Sequence, residues 1–430
     1  MKLWDKGGNP DEQTDQFTVG NDRELDLALV KYDIIASRAH ARMLGSIGLL
    51  GGKEVEQLTA ELDRMLQEAE AGRFTIEKDF EDMHSKIEYL LTEALGDTGK
   101  KIHTARSRND QVLVALQLYL KDELGGIRDQ VSELFSLLIN LAARYKGVLL
   151  PGYTHLQIAM PSSFGLWFSA YAESLVDDIY LLHAAYRVAD QNPLGSAAGY
   201  GSSFPIDRDF TTKALGFGTQ KFNVVAAQMG RGKVERTTAT ALASVGATLG
   251  KMAMDVCLYM SQNFNFISFP DHLTTGSSIM PHKKNPDIFE LIRGKCNALQ
   301  GVPVQLTTLT TNLPSGYHRD LQLTKDILLP AIQNLKACLE IATSSLREVR
   351  VREDILNDPK YDYLFSVDAL NQRVLEGMPF RDAYRELAAE IEAGTYRPKK
   401  DARHTHQGSI GNLCLEDIQK KMMQALEAWG

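Results

Sequence analysis

Between positions 113 and 141 an apolar side chain returns every three or four residues: Leu113, Leu116, Leu120, Leu124, Ile127, Val131, Leu134, Leu138 and Leu141. That spacing holds a single stripe on one face of an α-helix for about eight turns. The rhythm recurs in Leu242, Val245, Leu249, Met252, Val256 and Tyr259, and in Leu328, Ile332, Leu335, Leu339, Ala342, Leu346 and Val349. A weaker version runs through Phe164, Phe168, Tyr171, Leu175, Ile179 and Leu182. Long helices with seams this regular pack as a bundle with coiled-coil-like interdigitation, so the expected fold class is all-α. Each would run on the order of 40–50 Å, longer than one compact monomer needs. Some seams are therefore expected to be buried against other copies of the chain.

Chain order suggests three parts. Residues 1–105 break into shorter helical patterns, over 25–50 and 55–66, followed by a helix opened by Phe80-Glu81-Asp82-Met83-His84. There the acidic residues fall in the first turn, where the helix dipole favours them, and His84 reads as a half-exposed helical residue. Residues 106–350 carry the long seams. From 351 to 430 the seam is lost, and short helices over 367–376, 380–393 and 415–429 follow, with a loop over 397–406.

Apolar residues make up 44% and charged residues 24% of the chain, with a formal net charge of -8. That is the composition of an ordinary soluble protein. It argues against a nucleic-acid partner, which leaves a strongly basic footprint. No run of about 18 apolar residues suggests a membrane span, and the start, from Met1 to Pro10, lacks the apolar stretch of a secretory leader. A cytoplasmic location is the expectation. Cys257, Cys296, Cys338 and Cys414 have neither disulfide-framework nor zinc spacing and read as reduced thiols. His404 and His406 lack a third ligand nearby and read as a solvated tail, so neither a metal nor another cofactor is expected.

The chemistry sits in polar segments between the helices. Thr275-Gly276-Ser277-Ser278-Ile279-Met280-Pro281-His282-Lys283-Lys284-Asn285-Pro286-Asp287 gathers hydroxyls, ammonium groups, an amide and backbone N–H donors. Its prolines and glycine forbid regular structure, so an ordered loop held at both ends is expected. Such a loop can hold carboxylates and stabilise negative charge that appears during a reaction; a solvated Ser/Lys connector is the plainer reading. Lys101-Ile102-His103-Thr104-Ala105-Arg106-Ser107-Arg108-Asn109-Asp110-Gln111 runs straight into the first long seam. Ser107, Asn109 or Asp110 could cap that helix, and Arg106 and Arg108 beside its N-terminus would suit an anion. Pro151-Gly152-Tyr153-Thr154-His155-Leu156-Gln157 precedes Pro161, which reads as the first turn of the next helix. The small residues of Asn192-Pro193-Leu194-Gly195-Ser196-Ala197-Ala198-Gly199 would let backbone approach a ligand closely. Finally, Tyr317-His318-Arg319-Asp320-Leu321-Gln322-Leu323-Thr324-Lys325 enters the last seam, with Gln322 and Lys325 on one helical face.

Distant polar loops carried on stiff rods meet only at bundle ends or across subunit interfaces. This arrangement resembles the fumarase/aspartase superfamily, whose signature Gly-Ser-Ser-x-Met-Pro-x-Lys-x-Asn-Pro stands here without a gap from Gly276 to Pro286. Within it the likeness is closest to the argininosuccinate lyase family, through the segment from His103 to Gln111, Gly152-Tyr153-Thr154-His155-Leu156-Gln157, and Glu290-Leu291-Ile292-Arg293-Gly294-Lys295. The resemblance implies a three-domain helical lyase that assembles as a homotetramer with shared active sites, needs no cofactor, and eliminates fumarate from argininosuccinate to leave arginine. It further implies Ser277 as the base that removes the Cβ proton, and His155, held by Glu290, on the acid side. Lys283, Asn285, Asn109 and Thr154 would grip the succinyl carboxylates, with Tyr317, Gln322 and Lys325 placing the rest of the substrate and Arg108 a further substrate-binding candidate. The chain departs from the family at Ala105, Ile158, Met160, Val19-Gly20, His318-Arg319 and Leu323-Thr324, and near residues 228–233. Those changes touch the leaving-group end, so an adenylosuccinate or another fumarate-releasing C–N lyase is the neighbouring alternative. A non-catalytic, crystallin-like relative is the alternative of another class.

Overall fold

The computed structural model describes residues 12–401 and 404–429. The leader reading of Met1 to Pro10 lies outside them, as does part of the 397–406 loop. The architecture is all-α, with strands confined to three two-stranded pairs among the described residues. Four helices carry the long patterns, α1 (Arg108–Arg144), α2 (Phe164–Ala189), α3 (Lys233–Met260) and α5 (Thr324–Leu346), while the shorter α4 (Asp287–Leu299) follows the signature loop. Every seam residue of α1 is at most 5% exposed, as hydrophobic burial requires of so narrow a stripe. The seams of α2, α3 and α5 are likewise buried within one chain, apart from a half-buried Tyr259. The expectation that seams await other subunits therefore needs correction. Apolar side chains left exposed are a different set, including Leu291, Val304, Tyr180 and Met254.

By packing, the chain divides into two compact units rather than by sequence order. One holds the residues up to Arg128 with Leu181–Ser244 and Ala298–Leu335; the other holds Asp129–Tyr180, Val245–Asn297 and the residues from Lys336 onward. Each long helix contributes to both.

In the first unit, helices Val30–Ser46 and Gly52–Glu70 form an antiparallel pair. Gly45 makes their approach possible, because a Cβ there would come within 2.5 Å of Val55 Cγ2. A buried cluster of Ala36, Ala39, Val114, Leu118, Leu194, Leu215 and Phe217 ties that pair to the start of α1.

The second unit contains an element absent from the sequence reading, a hairpin of β1 (Leu149–Thr154) and β2 (Gln157–Ser163). Pro161 lies inside β2, paired with Pro151, and does not open a helix. Two prolines opposite each other cost no ladder bond that either could have donated. The helix instead begins at Phe164, and the Ser163 hydroxyl accepts the Leu166 N–H at 3.0 Å as its cap. An aromatic cluster anchors the hairpin: Tyr153 packs edge-on against Phe264, Trp167 meets Tyr259, and the Tyr153 and Tyr361 hydroxyls lie 3.4 Å apart.

Among the described residues, α3 is long and apolar enough to cross a membrane. Yet 56% of its most apolar window is buried in protein, and its Asp255 accepts hydrogen bonds from Trp167 Nε1 at 3.0 Å and Tyr171 Oη at 2.6 Å. Those are the marks of a core helix. His404 is not a solvated tail either. Its imidazole bridges Asp368 and Ser409 at 2.9 Å each, because the C-terminal chain folds back over helix Ser366–Leu375.

Candidate active site

The N-terminus of α1 is built by a reciprocal cap. The Ser107 hydroxyl receives the Asn109 N–H at 3.3 Å, while Asp110 Oδ1 receives the Ser107 N–H at 2.8 Å. Asp110 is fully buried, and its Oδ2 accepts the N–H groups of Gly195 (3.0 Å) and Ala197 (2.9 Å). Gly195 adopts φ +88°, which aims its N–H at the carboxylate and is open to glycine at little cost. Two N–H groups of the small-residue loop are therefore taken by a carboxylate of the chain itself. Arg106 turns inward to Ser37 Oγ at 2.8 Å and is 7% exposed, so of the two arginines only Arg108 reaches the surface beside the cap.

Arg108 and Asn109 open onto a cavity of about 180 Å³ in the first unit, lined also by Asp22, Asp26, Glu81, Asp82, His84, Val112, Arg231, Tyr317, Arg319, Gln322 and Lys325. Five positions singled out from sequence thus meet here: Arg108, Asn109, Tyr317, Gln322 and Lys325. The segment from Arg319 to Leu323 is held in place by Arg231, whose Nη2 donates to the Leu321 carbonyl at 2.6 Å while its Nε is paired with Glu235 at 3.0 Å. Gln322 Nε2 donates to the carbonyls of Thr18 and Val19, both at 3.1 Å, which leaves its amide oxygen for other partners.

The charges of the cavity are arranged in sets. Glu81 lies between Arg108 and Arg319, 2.9 Å from each. Burial alone would raise its pKa; the two guanidinium groups outweigh that and hold it below the usual range. Asp82 caps helix Met83–Leu95 through the Ser85 N–H (2.8 Å) and stands 3.2 Å from Arg108. His84 is buried, not half-exposed, with Nδ1 3.0 Å from Asp33 Oδ2. Burial opposes its charged form, but Asp33, Asp82 and Asp26 together lift its pKa above the ordinary value. The helix begins at Met83, so Glu81 and Asp82 precede it and no acidic residue occupies its first turn. Their carboxylates are drawn to cations of other segments, which a helix-dipole argument cannot foresee. Lys325 is 4% exposed and bridges Asp22 (2.8 Å) and Asp26 (2.7 Å).

Acidic lining residues and His84 were not singled out from sequence as site residues. The usable signal was Glu81-Asp82-Met83-His84, a density of charge unusual at the start of a helix that is otherwise apolar on its inner face.

The remaining residues belong to the second unit. His155 and Leu156 form the two-residue tip of the hairpin, at φ 53° and 59°. A two-residue tip with both residues left-handed matches the twist of the flanking strands, at roughly 1 kcal/mol or more per non-glycine residue. The imidazole is consequently presented to solvent, next to a Leu156 that is 75% exposed. Thr154 ends β1 opposite Gln157.

The loop carrying Ser277 is closed at its base by a bridge between Thr275 and Asn285, with the Asn285 N–H donating to the Thr275 carbonyl at 2.8 Å. Asn285 Nδ2 donates to Thr275 Oγ1 at 3.2 Å, and Thr275 Oγ1 also bonds Asp287. Inside the loop the N–H groups of Ile279 (3.4 Å) and Met280 (3.2 Å) point at Ser277 Oγ. Lys283 is exposed, and Glu290 is exposed in the first turn of α4. Within the chain no hydrogen bond or ion pair joins His155 to Glu290 or Ser277 among the described residues. No group of three or more His, Cys, Asp or Glu side chains suited to a metal occurs among them.

A loop with oriented donors can stabilise new negative charge, and a cavity lined by charges of both signs can hold a charged substrate. Comparison with known proteins gives this arrangement a context. The sequence profile of a family described as lyase matches residues 8–301. An argininosuccinate lyase of Parabacteroides distasonis is 58% identical over 99% of this chain and 96% of its own length. Among solved structures, an EDDS lyase in complex with formate superposes with a TM-score of 0.77 at 21% identity, covering 98% of this chain and 91% of that one. A class II fumarase from Schistosoma mansoni gives 0.74 at 16% identity, covering 99% and 97%. At those identities the two structures share the fold.

Proposed function

This chain belongs to the argininosuccinate lyase family of carbon–nitrogen lyases, and from that premise we propose that it splits argininosuccinate reversibly into arginine and fumarate. The observation that carries the reading is the cavity in which Arg108, Asn109, Tyr317, Gln322 and Lys325 come together from separate stretches of sequence. Those are the positions the family resemblance assigns to holding substrate.

The reaction removes a proton from the carbon next to a carboxylate and expels the guanidinium nitrogen from the adjacent carbon. Ser277 is the base. A serine hydroxyl is a poor base unless its alkoxide is stabilised, and the two N–H groups aimed at Oγ supply part of that stabilisation. Electrons from the broken C–H bond flow into the neighbouring carboxylate and give it a second negative charge. If the Lys283 ammonium comes to about 4 Å of that charge, at an effective dielectric near 20 it contributes roughly 4 kcal/mol of attraction. Asn285, Thr154 and Asn109 hold the carboxylates in register. His155, with Glu290 behind it, serves the acid side, where the departing nitrogen takes up a proton. Closure of the loop around substrate would exclude water while the charge exists.

The active enzyme is a homotetramer in which each site draws on several chains, each chain comprising an N-terminal helical domain (1–105), a central long-helix bundle (106–350) and a small C-terminal helical domain (351–430). A cytoplasmic setting, small-molecule substrates, and no cofactor complete the reading. The deciding experiment follows fumarate absorbance as purified protein is given argininosuccinate and adenylosuccinate in turn. Release from the first alone is expected. Activity only on the purine compound would favour the neighbouring lyase, and none on either would favour the crystallin-like alternative. Shared sites predict that inactive Ser277→Ala and His155→Asn proteins, unfolded together and reassembled, regain part of the wild-type rate. Absence of recovery in verified mixed tetramers would refute sharing.

A further inference from the structure

We propose that Asp22 is the specificity-determining residue that receives the positive charge of the leaving amine. The inference rests on the reading of the cavity as the substrate site and adds a residue to it.

Each other charged set around the cavity is balanced. Arg108 and Arg319 serve Glu81 and Asp82, His84 serves Asp33, and Arg231 serves Glu235. The exception is Lys325, one ammonium shared by two aspartates. Of these, Asp26 is 1% exposed and also accepts the Met83 N–H at 3.2 Å, so its needs are met inside the protein. Asp22 lies on the cavity wall, and Lys325 is its single side-chain partner among the described residues. The lysine cannot shift wholly towards it, because Asp26 holds the same nitrogen at 2.7 Å.

Three charged groups face Asp22: Asp26 on its own helix, Asp82 ahead of helix Met83–Leu95, and Lys325 on α5. Burial and the two neighbouring carboxylates push its pKa up to about 6, against the pull of Lys325. At neutral pH it is therefore an ionised, buried carboxylate with less than a full counter-charge. Such a group gains from any cation that docks beside it. Arginine offers two, an α-ammonium and a guanidinium, whereas fumarate offers none. The proposed substrate thus brings to the cavity the charge that the protein leaves out.

The test compares wild-type protein with Asp22→Asn by calorimetric titration with arginine and, separately, with fumarate. Asparagine keeps the side-chain shape and leaves Lys325 paired one-to-one with Asp26. Arginine affinity is expected to fall at least about tenfold in the variant, with fumarate affinity unchanged. Wild-type affinity for arginine should rise with pH through about 6 and release a proton on binding there; the variant should show neither effect. The unliganded variant should be at least as heat-stable as wild type at pH 7. A carboxyl whose folded pKa is raised supports the fold only while protonated and loses that contribution as pH climbs through the raised value. Unchanged arginine affinity and pH profile would overturn the assignment, as would equal loss of both ligands or a wild type that fails to bind arginine. Failure of wild type to release fumarate from argininosuccinate would instead strike the functional reading, so the two failures are distinguishable.

Discussion

Changing Ser277 to alanine is expected to lower kcat for argininosuccinate by about 10²–10⁴, the range for loss of a positioned general base, while KM moves by no more than a few-fold. The loop that carries Ser277 is closed by backbone bonds between Thr275 and Asn285, neither of which involves the serine side chain. Loss of the hydroxyl should thus leave the loop's base intact and remove an interaction that matters in the transition state, the signature being a fall in kcat and kcat/KM together. Fumarate absorbance under saturating substrate reads the effect directly. Near-normal turnover would remove Ser277 from the mechanism, and a large rise in KM with unchanged kcat would make it a binding group.

The second large effect is on the fold. Asp110 accepts three backbone N–H groups, from Ser107, Gly195 and Ala197, in a fully buried setting. Asp110→Ala strands all three at once, and at roughly 1–3 kcal/mol for each buried donor left unpaired a loss of about 3–9 kcal/mol is expected. Total stabilities of domains are of the order of 5–15 kcal/mol, so the variant should show a clearly lower urea midpoint and reduced soluble yield. Activity should suffer too, since Asp110 holds Ser107, whose hydroxyl in turn accepts the Asn109 N–H. Asp110→Asn preserves one acceptor but turns an amide NH₂ towards donors, and should fall between. A urea midpoint for Asp110→Ala equal to that of wild type would show that water or relaxation satisfies the N–H groups, contrary to this account.

The long helices were legible because burial of a stripe leaves a period in the sequence that nothing else imitates. Leu113 through Leu141 predict a helix, and α1 extends just beyond them at both ends. The signature loop was legible for another reason. Gly276, Pro281 and Pro286 rule out regular structure, and a dense run of donors has few uses apart from holding anions. The resemblance to a known family then attached roles to Ser277, His155 and Lys283 that no local pattern could assign.

Other features lay beyond such reasoning. Nothing between Pro151 and Pro161 announces a hairpin. Its turn places His155 and Leu156 in the left-handed region without the Asn or Gly that usually marks one, and the aromatic residues that anchor it, such as Phe264 and Tyr361, are more than a hundred positions away. His84 was read as half-exposed because its partner, Asp33, sits on another helix. Arg106 and the loop at Gly195 were read as ligand-facing because composition shows what donors and charges exist, not where they are spent.

What the sequence by itself determined, then, is the set of stiff elements and the inventory of chemical groups, since helical periodicity and backbone restriction act over a few residues. What only the tertiary structure decided is which charges neutralise each other. Whether Arg108 is claimed by Glu81, Asp110 by Gly195, or Asp22 left short beside a shared Lys325 depends on contacts between segments tens to hundreds of residues apart. Electrostatic and hydrogen-bond energies are set by distance and burial, and neither quantity is written along the chain.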